Sequence, residues 1–249
     1  MKFSKMSVLL GGLLLTLAGC AGGSGSHSTP ASPQDNNATF TWHGTAPFAN
    51  PLPHHAQDVG RTWPAGTFQD SAAVLVYADH GNQTYVLMAR RAPWLSSAGT
   101  WSVFMGGVER TDLDSSGAIS FARAAEHELF EESVTVYHQA DANDLRRCPS
   151  DLRTFRSGRK SRTFFARLPF VPEAQLNQGY AFAVQSGKDK KFKENDQFRW
   201  VLLQDLAACT APTWDFTDVT GTRHSMNLFR VFFETLERPD YKNHLRALP

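Results

Sequence analysis

The residues best suited to chemistry lie between positions 101 and 136: the double glycine Gly106-Gly107, an acidic loop, then Ala124-Ala125-Glu126-His127-Glu128-Leu129-Phe130-Glu131-Glu132. On a helix, Glu128, Glu131 and Glu132 stand at i, i+3 and i+4 and share one face. Like charges so placed weaken an isolated helix by roughly a few tenths of a kcal/mol per pair. A divalent cation would relieve that repulsion, because hard ions such as Mg²⁺ take oxygen ligands. The glycines leave backbone carbonyls open where a side chain would block approach. An acidic helix face alone is usually a solvated surface, so the flanking elements decide between the two readings.

Those elements are legible in outline. Ala72-Ala73-Val74-Leu75-Val76-Tyr77 is a continuous apolar run, as in a strand covered on both faces. A turn at Asp79-His80-Gly81-Asn82 leads to a second strand over 84–89, giving a hairpin that exits at Arg90-Arg91. A strand over 101–105 ends at the double glycine, and the spacing predicts a helix over 120–132 with Phe121, Ala125 and Leu129 as its buried stripe. Further strands are predicted over 134–138, 163–168, 180–184 and 198–203. A closing helix carries Met226, Phe229, Phe232, Phe233 and Leu236 on one face. Strands interrupted by helices imply an α/β layered domain with a mixed sheet.

Gly106-Gly107, an acidic loop and Glu-x-x-Glu-Glu on a helix resemble the Nudix box. The matching residues are Gly107, Glu128, Leu129, Glu131 and Glu132; the Gly99-x-Trp101-x-x-Phe104 approach and the Arg90-Arg91 exit are also similar to that family. So is Lys193-Glu194-Asn195-Asp196-Gln197-Phe198-Arg199-Trp200 downstream. The resemblance spans about residues 72–206 and implies a Nudix-type α/β/α sandwich with a mixed β-sheet. It also implies Mg²⁺ or Mn²⁺ held by Gly107, Glu128, Glu131, Glu132 and Glu194. The implied activity is hydrolysis of the pyrophosphate bond in a nucleoside diphosphate linked to another moiety. Glu194 or a helix glutamate would be the general base, and Arg90 and Arg91 would bind substrate phosphate. Glu194 sits in a Lys-rich run, so an exposed surface carboxylate is its competing reading.

The pattern departs from the family at several points. His127 replaces the arginine before the first glutamate, Ser133-Val134 replaces the following glycine, and Met105 replaces the proline before the glycines. The loop after Gly107 is longer than the common form, so Glu109, Asp112 and Asp114 compete as its spaced acid. A catalytically silent fold that binds a nucleotide or a protein partner is the alternative. Arg153, Arg156, Arg159, Lys160 and Arg162 form a basic loop read as solvated surface or phosphate contact. Trp94, Trp101 and Tyr180 are candidates to stack on a base or to fill the core.

The N-terminus reads as a separate region. Lys2 and Lys5 precede an apolar stretch at 6–18, too short to span a bilayer, that ends in Leu17-Ala18-Gly19-Cys20. This resembles the lipobox of bacterial lipoproteins, with Cys20 lipidated; an ordinary secretory signal with an incidental cysteine is the alternative. The implied organisation is a signal peptide at 1–19, a Gly/Ser/Pro/Asn-rich tether at 20–40, an irregular segment at 41–71 and the hydrolase-like domain at 72–249. The implied location is the cell envelope, anchored through Cys20 at the periplasmic face, with Ala21 hinting at the outer membrane. His54-His55 lacks nearby partners to complete a metal site. A formal net charge of +1 offers no global case for nucleic acid. Cys148 and Cys209 read equally as a disulfide or as two free thiols.

Overall fold

The computed structural model describes residues 70–114, 116–137 and 145–249. The signal peptide, the tether with Cys20, nearly all of segment 41–71 with His54-His55, and His138 lie outside the described residues. Among the described residues no helix is long and apolar enough to cross a membrane.

The hairpin forms as expected, from β1 (Ser71–His80) and β2 (Gln83–Arg91), with Tyr77 opposite Val86. The strand expected over 101–105 divides at Val103. β3 (Trp101–Ser102) pairs with β2, whereas β4 (Phe104–Gly107) pairs antiparallel with the start of β1. That change of partner sets the double glycine beside Ser71 and Ala72. The helix α1 (Phe121–Glu132) follows, then β5 (Ser150–Thr154) and β6 (Lys160–Arg167). β6 runs parallel to β1 and β5 antiparallel to β6, so the sheet is mixed. β7 (Asn195–Leu202) lies on the far side of β2 and completes the seven strands.

Period-two alternation along β1 divides the core. Ala72, Val74 and Val76 face α1 and α2 (Glu173–Gln185). Ala73, Leu75 and Tyr77 face α3 (Leu203–Ala208), α4 (Arg230–Leu236) and α5 (Pro239–Ala247). Both faces are therefore buried, which explains the unbroken apolar run. The architecture is an α/β/α sandwich on a mixed sheet, as the sequence implied.

Three expectations are corrected. Residues 180–184 belong to α2 rather than to a strand. The aromatic/small alternation Tyr180-Ala181-Phe182-Ala183-Val184 mimics a strand period, but Leu176 and Ala183 are the buried positions and both suit a helix. Its side chains also serve the sheet edge: Glu173 Oε1 accepts from Trp200 N at 2.7 Å and Asn177 Oδ1 from Phe198 N at 3.0 Å. These bonds satisfy β7 amides that an open edge would leave unpaired.

Residues 134–137 form a turn rather than a strand, because Val134 (φ 56°) and Thr135 (φ 66°) adopt left-handed conformations. β-branched residues are strained there, at the point where the family pattern has glycine. The third correction concerns the C-terminus. Met226 lies in β9 (Arg223–Asn227), paired with β8 (Thr213–Thr217), and two helices rather than one close the chain. Cys148 and Cys209 are not joined to each other in a disulfide.

Candidate active site

Helix α1 is rich in alanine and other good helix formers, and Ala125 and Leu129 are fully buried. Phe121 is only partly buried. With that side pinned to the sheet, the glutamates project toward β4. Glu132 is 4% exposed and its Oε2 accepts from Met105 N at 2.7 Å. Glu131 is 6% exposed. Glu128 packs against the double glycine so closely that a Cβ at Gly106 would overlap its carboxylate, whereas Gly107 has open space at that position.

This contact yields a sharp contrast between the two glycines. Gly106→Ala leaves the fold intact, because the group it strikes is the end of a flexible side chain, but it displaces Glu128. Divalent-cation affinity should fall about tenfold or more, while Gly107→Ala should match wild type. A Mn²⁺ titration beside a thermal melt checks both; equal affinities in the two variants would remove Gly106 from the site.

The structure brings Glu194 to the same place. It is half-buried, its backbone carbonyl accepts from Ala92 N at 2.8 Å, and its charge acts on Glu128 and Glu132. Burial and mutual repulsion disfavour ionisation throughout the cluster. Glu131 is pushed up to about 7, chiefly by burial. Burial and then the charge of Glu194 push Glu132 up to about 8. Glu128 is raised well above the carboxylate range by burial, then by Glu132 and Glu131, and burial also raises Glu194.

The three candidate loop acids separate by position. Glu109 reaches the cluster through Lys191, whose Nζ lies 2.7 Å from Glu109 Oε1 and 3.6 Å from Glu131 Oε1. Asp112 is buried, accepts from Glu109 N at 2.6 Å, and sets Oδ1 2.6 Å from His127 Nδ1. Asp114 only organises its own turn, accepting from Ser116 and Ala118. His127 thus contacts the acidic loop through Asp112, and its charge also acts on Glu131. Burial opposes its charge, yet Asp112 raises its pKa above the ordinary value. Lys191 was missed in the sequence, where a lysine run reads as solvated surface. Phe192 against Phe130, with ring centroids 5.9 Å apart, packs that run onto α1.

The two arginines diverge. Arg91 acts electrostatically on Glu132 and Glu194 and stacks over Phe229 at 4.7 Å. Arg90 is held by Asp196 through bonds of 2.8 and 3.1 Å. The expected basic loop is instead a hairpin: Arg153 on β5 engages Thr235 and Glu234, Arg159 in the turn reaches Ser71, and Arg162 on β6 stacks over Phe121. Trp101 is core at 7% exposure, whereas Trp94 is 47% exposed.

Oxygen donors from Glu128, Glu131, Glu132 and Glu194, crowded and reluctant to ionise without a counter-charge, fit a hard divalent cation in chemistry. Among the described residues no three such side chains already converge on a common ligand position. Glu131 and Glu132 instead contact Lys191 and Met105 N.

Fold and site together define an α/β/α domain with a buried carboxylate cluster at a glycine turn. No family model matches the chain and no curated protein matches it. Among solved structures it is similar to the Nudix hydrolase RenU of M. smegmatis, at 17% identity and a TM-score of 0.37, covering 72% of this chain and 88% of that one. It is likewise similar to the NUDIX domain of Shewanella oneidensis NrtR complexed with ADP ribose (12%, TM-score 0.40, 78% and 98% covered). A C. elegans Ap4A hydrolase also matches, at 11% identity and a TM-score of 0.37, with 72% and 96% covered.

Proposed function

We propose that this domain is a divalent-metal-dependent hydrolase that cleaves the pyrophosphate bond of a nucleoside diphosphate linked to another moiety. The observation that carries the reading is that Glu128, packed against Gly106, lies within electrostatic reach of Glu131, Glu132 and Glu194, in a site where burial raises every one of these carboxyls.

Glu128, Glu131, Glu132 and Glu194 would hold Mg²⁺ or Mn²⁺, with a Gly106 or Gly107 carbonyl as a further oxygen donor. The cation would neutralise the diphosphate and acidify a bound water. Arg91 and Lys191 supply positive charge for the substrate's phosphates, and Arg90 aligns the adjacent strand end through Asp196. Glu194, half-buried and off the helix, takes the proton of the attacking water as general base. Water adds to one phosphorus, the bridging P–O bond breaks, and the products are a nucleoside monophosphate and a phosphorylated remainder.

A catalytically silent binder is the second reading, favoured by the engagement of Glu131 with Lys191. Assay against ADP-ribose, NADH, a dinucleoside polyphosphate and coenzyme A with Mg²⁺ or Mn²⁺ separates the two. Metal-dependent turnover supports the hydrolase; metal-independent nucleotide binding without turnover supports the binder. We further propose that Cys20 anchors the protein to an envelope membrane. Cys20→Ser should then move it to the soluble fraction with its melting temperature unchanged, and retention in the membrane fraction would count against the anchor.

A further inference from the structure

The loop after β2 carries an exposed tryptophan whose position the site chemistry does not use. Both ends of the loop are pinned: Ala92 N donates to the Glu194 carbonyl at 2.8 Å, and Arg91 N to Thr100 O at 2.9 Å. Trp94, two residues past the Glu194 contact, is 47% exposed. Lys190 Nζ lies 6.0 Å from its ring centroid, and the neighbouring Lys191 reaches Glu109 and Glu131. The indole therefore belongs to a loop pinned at the Glu194 backbone and is flanked by Lys190, whose neighbour Lys191 reaches the carboxylate cluster. A single exposed apolar side chain is ordinary. A rigid aromatic face beside lysines and a carboxylate cluster is also what a base with attached phosphates would use.

We propose that Trp94 is the stacking platform for the aromatic base of the ligand, with Lys190 placed to meet the phosphate next to that base. This rests on the hydrolase reading for its substrate class, and the test reads binding apart from turnover. ADP is titrated against wild type, Trp94→Ala, Trp94→Phe and the Glu132→Gln variant, following tryptophan fluorescence and, for affinity, calorimetry. Inorganic pyrophosphate is the probe without a base.

ADP should quench a fluorescence component that is absent from Trp94→Phe. Trp94→Ala should weaken ADP binding about tenfold while leaving pyrophosphate binding unchanged, and Trp94→Phe should recover most of the affinity. In turnover, Trp94→Ala should raise KM with kcat nearly kept. Quenching by ADP with no turnover of any substrate would sink the hydrolase reading and uphold the platform. Unchanged ADP affinity in Trp94→Ala, or equal losses for ADP and pyrophosphate, would overturn the platform.

Discussion

Replacing Glu132 with glutamine is expected to lower turnover of a nucleoside-diphosphate-linked substrate by about 10²-fold or more, with the fold retained; Glu131→Gln should do the same. Glutamine keeps the volume and one carbonyl oxygen, so the packing of α1 against β4 and the bond from Met105 N survive. What disappears is the charge that would hold a cation. Glu132 is 4% exposed and lies under the influence of Glu194, so its loss changes the charge of the whole cluster. Rates at saturating and limiting Mn²⁺ separate the causes. Recovery at high Mn²⁺ indicates weakened binding, and an unrecovered rate indicates a lost proton or positioning role. Wild-type turnover in both variants would remove these glutamates from catalysis.

The second large effect is on stability, and its sign follows from the raised carboxyls. Glu131 and Glu132 are pushed from the ordinary 4.5 up to about 7 and about 8 in the folded, metal-free protein. Above pH 4.5 the unfolded chain releases protons that the folded state keeps, so the folded state binds more. The stabilisation is present below about pH 4.5 and is lost as pH rises through about 7 to 8. At about 1.4 kcal/mol per pKa unit, the rise of Glu131 from 4.5 to about 7 alone makes the loss on the order of 3 kcal/mol. That corresponds to a melting temperature lower by about 10 °C at pH 8.5 than at pH 5 for a domain of this size.

Mn²⁺ at a hundredfold excess over its Kd should restore about 2.7 kcal/mol at the alkaline end. Glu132→Gln should flatten the pH dependence and abolish the rescue. Melting curves in chelator and in Mn²⁺ measure both. A metal-free protein more stable at pH 8.5 than at pH 5 would contradict the burial of these groups.

How far the sequence carried the reading depended on what each pattern encodes. The continuous apolar run of β1 and the 3.6-residue period of α1 are set by local burial, so both elements were legible, α1 to within a residue and β1 up to its last three residues, which run on into the expected turn. The candidate cluster was legible for the same reason: Glu128, Glu131 and Glu132 share a face by helical geometry alone. Glu194 and Trp200 lie in one segment, and pairing of that strand with β2 delivers Glu194 beside Arg91.

The rest depended on tertiary contacts. Helix α2 covers the edge of β7 with Glu173 and Asn177, a task that no window around residues 180–184 can reveal. Lys191 counted as surface until the packing of Phe192 on Phe130 placed it over Glu131. The choice among Glu109, Asp112 and Asp114 required the loop's path. It assigns Glu109 to the cluster, Asp112 to His127 and Asp114 to its own turn.

The central claim is that the glutamates of α1, with Glu194, form a divalent-cation site. The most direct measurement is a Mn²⁺ titration at pH 8, with free ion followed by electron paramagnetic resonance, on wild type and on the Glu131→Gln, Glu132→Gln double variant. Saturable binding to wild type that is lost in the double variant, both proteins being folded by circular dichroism, is the predicted result. Absence of binding to wild type, or equal binding to the double variant, would contradict the account.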